Sequence, residues 1–248
     1  MIGGTAMTGP DPRPSAPATV RRAPEDGDQP GVLRVFQSKS ETRAFYNKIS
    51  KVYDLLAEHS EAPVRRLGLE HLGVRPGETV LEIGFGTGHC LADLARAAGP
   101  SGRVLGVDLA DEMARTARDH VAAAGVSGQV RVVCSDGERL PWRDGVMDAI
   151  FMSFTLELFD TPAISTVLVE CRRVLRPGGR LVVVGLSKDG PPGLAMEAFQ
   201  WTHQHFPNLL DCRPIFVARA CAAAGLSVQE VLHRRMWVPV EIVLATRE

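Results

Sequence analysis

Between Thr79 and Leu186 short apolar runs recur about every 25 residues, each followed by a stretch with helical periodicity. The runs are Thr79 to Ile83, Arg103 to Val107, Gln129 to Cys134, Val146 to Met152 and Arg180 to Leu186. Thr87 to Ala98, Ala110 to Ala124 and Pro162 to Leu175 read as the intervening helices, with Thr161 as a cap for the last. Strands spaced this way, with helices between them, imply right-handed βαβ crossovers and a parallel sheet covered on both faces. After a short helix from Pro214 to Ala224, closed by Gly225, the segments Ser227 to His233 and Trp237 to Ala245 are joined too tightly for a crossover. They predict an antiparallel hairpin at one side of the sheet, giving seven strands.

The ends of the chain read differently. Six of the 17 prolines precede residue 31, among small and charged residues with little to bury. Residues 1–35 are expected to be a disordered extension and 36–248 the folded domain. From Glu41 the pattern is helical, with Phe45, Ile49, Val52 and Leu56 on one face; a second helix is expected from Ser60 to Leu72. Leu194 to Phe206, with Met196, Phe199, Trp201 and Phe206, reads as a helix or lid over an apolar pocket. It has no basic face, so peripheral membrane contact is the lesser expectation.

Composition excludes several function classes. A net charge of −1 argues against a dedicated nucleic-acid binder. No apolar run is long enough to span a bilayer, and no secretory signal opens the chain, so a cytoplasmic location is expected. The five cysteines form no CxxC pair, and His203 and His205 are two apart in a helix, so no metal site is expected.

The chemistry concentrates at strand ends. The first strand runs into Gly84-Phe85-Gly86-Thr87-Gly88, where open α/β sheets bind nucleotides. The spacing is GxGxG, with His89 where a dinucleotide fingerprint has its third glycine. Glu82 precedes the loop by two residues; its charge repels a pyrophosphate and attracts an ammonium or sulfonium. A nucleoside with a cationic tail fits, and S-adenosylmethionine is such a ligand. Asp108, about 20 residues further on, suits the two ribose hydroxyls, and Asp136 an exocyclic adenine amine. Met113 is placed to pack the adenine ring and Tyr53 to close over the methionine end. Met152 to Phe159 should border the reacting methyl group, with Glu157 as a base or a binder of a cationic acceptor; His59 is a further candidate for touching substrate.

On these residues the sequence resembles the class I S-adenosylmethionine-dependent methyltransferases. Glu82 to Gly88 is similar to the family's first motif, Asp108 to its ribose-binding acid, Asp136-Gly137 to its adenine-side acid, and Val174 to Gly179 to the turn before its fifth strand. Phe45-Tyr46, Tyr53-Asp54 and the ending Trp237 to Ile242 resemble the ubiquinone/menaquinone-biosynthesis group and its lipid-methylating relatives. The resemblance implies a Rossmann-like three-layer α/β sandwich with an antiparallel C-terminal strand. It implies a cofactor site of Tyr53, Glu82, Gly84, Gly86, Gly88, Asp108, Leu109, Met113, Asp136, Gly137 and Phe154. The implied reaction is methyl transfer to a small-molecule or lipid-like acceptor: a quinol or phenol carbon or oxygen, or a lipid amine. Leu55 to Val64 departs from the stretch that follows Tyr-Asp in the quinone enzymes, so the acceptor stays open. Competing readings are a non-catalytic S-adenosylmethionine-binding protein and an NAD-dependent oxidoreductase; Glu82 and the missing third glycine count against the latter.

Overall fold

A computed structural model describes residues 29–35, 38–189, 212–236 and 238–248, with 48–60 as helix backbone alone. The expected lid at 194–206, His203 and His205, Trp237, and residues 1–28 lie outside the described residues, as do the side chains of Tyr53 and His59.

The chain runs α1 (Lys39–Leu72), β1 (Thr79–Ile83), α2 (His89–Ala98), β2 (Arg103–Asp108), α3 (Asp111–Ala123), β3 (Val130–Cys134), β4 (Met147–Ser153), α4 (Thr161–Val174), β5 (Leu175–Leu186), α5 (Val217–Ala223), β6 (Ser227–Arg235) and β7 (Pro239–Thr246). The sheet order is β3-β2-β1-β4-β5-β7-β6. The first five strands are mutually parallel and β7 is antiparallel to both its neighbours. The three-layer sandwich expected from sequence is therefore present, hairpin included.

Strand alternation builds the two layers. Val80, Val104 and Phe151 face the cluster formed with α1, α2 and α3. Leu81, Ile83, Ile150 and Val183 face the cluster under α4 and α5. Such two-sided burial explains why the strands read as apolar runs rather than alternating ones.

Three expectations change. First, the two N-terminal helices are one helix that continues through Pro63. A proline inside a helix costs about 3 kcal/mol, and packing beyond it offsets that cost. Val64 and Leu72 are buried, and Gly68 lies so close to the sheet that a Cβ there would stand 2.5 Å from Val184 and 3.2 Å from Phe151. The helix starts with a reciprocal capping box between Ser38 and Glu41 and ends at Gly73 in the left-handed region. Second, Asp160 rather than Thr161 is the N-cap residue of α4.

Third, residues 29–35 pack onto the domain instead of belonging to a disordered extension. The Gln29 side-chain amide donates to the Phe216 carbonyl (3.0 Å) and accepts from its N–H (2.9 Å). Arg34 grips Asp160 through two bonds of 2.8 and 2.7 Å. Arg213, fully buried, donates to the carbonyls of Leu33, Glu157 and Phe159.

Gly68 gives a stability test. Alanine is favoured over glycine in a helix by about 0.5–1 kcal/mol, but overpacking costs about 1–3 kcal/mol. Gly68→Ala is therefore expected to lower the urea midpoint. Gly128→Ala, at a position with open space around it, is expected to leave it unchanged or raise it.

Candidate active site

The order of the sheet reverses between β1 and β4, so their following loops part and leave a crevice at the C-terminal ends of the strands. A cavity of about 240 Å³ lies there. The loops after β1, β2, β3 and β4 form its floor and walls; Lys39, Thr42, Tyr46, Glu61 and Arg65 of α1 roof it.

Glycine is required at two points of the first loop. Gly84 has φ +71°, and a Cβ there would stand 2.3 Å from the Thr155 side chain. Gly88 has φ +89°, and its Cβ would meet Ala117 at 2.7 Å. The loop thus lies flat against β4 and α3 and turns its backbone to the cavity.

The expected acids converge. Glu82 is 3% exposed and lines the cavity. Its Oε2 has no hydrogen-bond partner. Burial holds its pKa well above the usual carboxylate range, opposed by the nearby Arg65 charge. Asp108 accepts from the N–H groups of Gly86 (3.0 Å) and Ala110 (2.9 Å). Burial raises its pKa to about 6 against those bonds. Asp136 accepts from the Glu138 N–H at 3.0 Å and meets the Lys39 ammonium, which also lies 2.7 Å from Glu138.

Gly86, Leu109, Met113, Gly137 and Phe154 also line the cavity. Met113 is at the same time part of the core under α3. Phe154 has φ +50°, the sole non-glycine residue among those described with positive φ. Its N–H donates to Val184 at 2.8 Å. Such backbone costs of order 1–3 kcal/mol and concentrates at functional sites. Among the described residues no group of three or more His, Cys, Asp or Glu is placed to hold a metal.

Glu157 departs from expectation. It does not line the cavity but is fully buried in the short 3₁₀ turn Leu156–Leu158. The turn sends Thr155 and Leu158 to the cavity and Glu157 inward, beneath Gly185. There Oε1 accepts from the Leu186 N–H (3.1 Å) and Oε2 has no partner. Desolvation raises its pKa to about 8. His89 packs against His120 with ring centroids 4.6 Å apart and the rings tilted by 36°.

Several lining residues were not singled out in the sequence. Thr87 sits within the glycine loop and was legible there. Ser153 ends β4 with a buried Oγ that has no partner; only packing reveals that. Arg65 and Lys39 come from α1, far from the strand-end motifs in sequence.

Comparison with known proteins decides the family. A methyltransferase-domain family matches residues 80–179. A ubiquinone/menaquinone biosynthesis C-methyltransferase UbiE from Pseudomonas fluorescens is 33% identical over 180 residues, covering 73% of this chain and 67% of that protein. The chain belongs to the class I S-adenosylmethionine-dependent methyltransferases. The UbiE of Ectopseudomonas mendocina is 35% identical over 64% of this chain, and the match spans 63% of its length, less than two thirds. A methyltransferase of this family from Aquifex aeolicus superposes with a TM-score of 0.57 at 25% identity, covering 82% of this chain and 98% of that one. The [4+2]-cyclase SpnF superposes at 0.69 with 16% identity, covering 85% and 97%. The same fold therefore also carries a cyclase, and the fold alone does not name the reaction.

The family's cofactor fits the cavity on this chain's own chemistry. The open oxygens of Glu82 and Ser153 are buried polar atoms awaiting partners, and buried polar groups are normally hydrogen-bonded. The acids match a ligand with a cation at one end and hydroxyls in the middle.

Glu157 yields a stability prediction. It keeps its proton to about pH 8 when folded, whereas an unfolded glutamate loses it near pH 4.3. Between those values the unfolded chain binds fewer protons, so its ionisation makes stability fall as pH rises, by at most about 1.4 kcal/mol per pH unit. Glu157→Gln, which keeps an acceptor for Leu186, is expected to melt higher than the wild type at pH 8, with the gap narrowing towards pH 5.

Proposed function

We propose that this chain transfers a methyl group from S-adenosylmethionine to a small apolar acceptor, with the ring carbon of a reduced quinone the leading candidate. The observation that carries the cofactor half is the unpartnered Glu82 oxygen at the crevice, with Asp108 and Asp136 at the two neighbouring strand ends. The quinol half rests on the relatives named UbiE at 33–37% identity.

When bound, S-adenosylmethionine supplies a methyl group on a sulfonium with a neutral thioether as leaving group. Glu82 then takes the ammonium of the amino-acid end, which also relieves its burial, and Arg65 faces the carboxylate. Asp108 accepts from the ribose hydroxyls and Asp136 from the adenine amine. Leu109, Met113, Gly137 and Phe154 hold the base and ribose by contact, with Gly84, Gly86 and Gly88 as the backbone beneath. Tyr53, seven residues after the cavity-lining Tyr46 in the sequence, is the proposed cover for the methionine end. The acceptor lies against the apolar wall that includes Val35, Tyr46, Leu158 and Phe159. Positioning is the main work, because the leaving group is good. For a carbon acceptor the new C–C bond forms as the S–C bond breaks, and the ring proton leaves to a base; His59 and Tyr53 on the roof helix are the candidates. Glu157, facing inward, is not.

The deciding assay incubates the full chain with S-adenosylmethionine and separate quinols, phenols and lipid amines, read by product mass and by S-adenosylhomocysteine. A methylated quinol is expected; methylated lipid amine alone would replace the acceptor, and no methylated product at all would sink the proposal.

Asp108 adds a pH signature. Ribose hydroxyls bond best to the ionised carboxylate, and Asp108 takes its proton near pH 6. Protonation of Asp108 is expected to lower cofactor affinity below about pH 6, by at most tenfold per pH unit. Asp108→Asn should bind weakly and lose that pH step, as calorimetry across pH 5 to 8 would show.

A further inference from the structure

Beside the cofactor cavity a second one of about 250 Å³ opens between α1, α2 and α3. Its construction is unusual for a junction of three helices. The helices present small residues to it, Ala62, Ala92, Ala123 and Ala124, where larger apolar side chains would close the gap. Around these alanines stand Arg65, Arg66, Arg96, His89 and His120, against one carboxylate, Asp93.

The cations come from two facing helical stripes, residues 62, 65, 66 and 69 of α1 and residues 89, 92, 93 and 96 of α2. Arg96 has Asp93 at 2.7 Å and Arg65 has Glu61 at 3.9 Å. Arg66 has no ion pair among the described residues. Three guanidiniums stand against the carboxylates of Asp93 and Glu61, and the nearby buried Glu82 is pushed towards its neutral form, so positive charge is in excess. His120 is fixed by its Nδ1, 2.7 Å from the Thr87 carbonyl, and its ring packs against His89. The N-terminus of α2, whose cap Gly88 offers no side-chain bond, adds its dipole at His89 and Cys90. Nothing in methyl transfer calls for this arrangement, and Arg66 and Arg96 do not line the cofactor cavity.

We infer that this chamber binds a phosphate group, either free or carried by a small molecule. Guanidinium forks match a phosphate's oxygens in pairs. The chamber shares Arg65, His89 and Cys90 with the cofactor cavity, so its occupant sits next to the amino-acid end of that site. The inference does not depend on the methyl-transfer reading, because binding is measured directly.

The test is calorimetry on the full chain at low ionic strength, with inorganic phosphate and glycerol 3-phosphate as separate probes and acetate as the control anion. Saturable binding of a phosphate probe, tighter than acetate, is expected. Preference between the probes tells a free phosphate from a phosphate ester. Arg66→Ser with Arg96→Ser should weaken it by about tenfold or more, while Arg118→Ser, an exposed α3 arginine outside the chamber, should not. Arg66→Ser alone, at an exposed position, covers the case in which the double variant misfolds and should also weaken binding. The inference is overturned if neither probe saturates, if acetate binds as well, or if the arginine variants bind as tightly as the wild type.

Discussion

A parallel strand cannot return to its neighbour without crossing the sheet, and this chain crosses first one way and then the other. From β1 it builds outward to β3, then returns to lay β4 on the other side of β1. The reversal forces the loops after β1 and β4 apart, and no side chain has to be sacrificed to keep the crevice open. All the chemistry follows from that edge, because each parallel strand delivers its last residue there: Ile83 into the glycine loop, Asp108, Cys134 ahead of Asp136, and Ser153. The same reversal explains why the glycines must be glycines. Gly84 passes against Thr155 because the β1 and β4 loops share one origin before they part.

Buried acids at this edge divide by what surrounds them. Glu241 is buried, with its carboxyl held by the Ser187 hydroxyl at 2.5 Å and pushed towards its neutral form by desolvation. Glu157 is likewise held neutral, with the Leu186 N–H on one oxygen. Neither lines the cavity, and a neutral hydrogen-bonded acid inside a core is a structural element whose desolvation is met by staying protonated. Glu82 and Glu157 each keep one oxygen without a partner, but of the two only Glu82 lines the cavity. An unmet buried acceptor costs about 1–3 kcal/mol or more, and a ligand bearing a cation removes that cost on arrival. Burial alone does not mark a functional acid; burial at the wall of a cavity, with a lone pair left over, does.

What was legible in the sequence follows from this distinction. Period, glycine spacing and an acid at each strand end are local signals, and the strands, Asp108 and Asp136 were read from them in place. Glu157 was misplaced because adjacency to β4 fixes its distance from the site but not its direction; a single 3₁₀ turn reverses it. The strap at residues 29–35 was missed because composition averages over a window, and the prolines before it dominate that window, while its hold comes from Gln29, Arg34 and Arg213, the last about 180 residues away. Ser60 reads as the cap of a second helix, but one helix runs from Lys39 to Leu72, and packing of Val64, Gly68 and Leu72 holds the part beyond Pro63. Ser153 was marked only by its place in the segment Met152 to Phe159 and Arg65 not at all, since an unpartnered hydroxyl or a converging charge exists only once the chain is folded.

The roof helix shows the same partition along its own length. Its C-terminal half is held by close packing on β4 and β5, which salt and pH barely touch. Its N-terminal half is held by a polar stripe at four-residue spacing: Lys39 to Asp136 and Glu138, Arg43 to Asp111, and Asn47 to the Glu112 N–H at 3.1 Å. Exposed ion pairs of this kind contribute little in water and less in salt. The tightly packed half therefore fixes where the roof is, and the weakly held half lies over the adenine-side acid. Lys39 meets one oxygen of Asp136 through an exposed ion pair, a contact that can be exchanged without breaking core packing. A site built this way keeps its costly features, the glycine loop and Glu82, on the rigid sheet edge and puts the exchangeable contacts on the element that covers them.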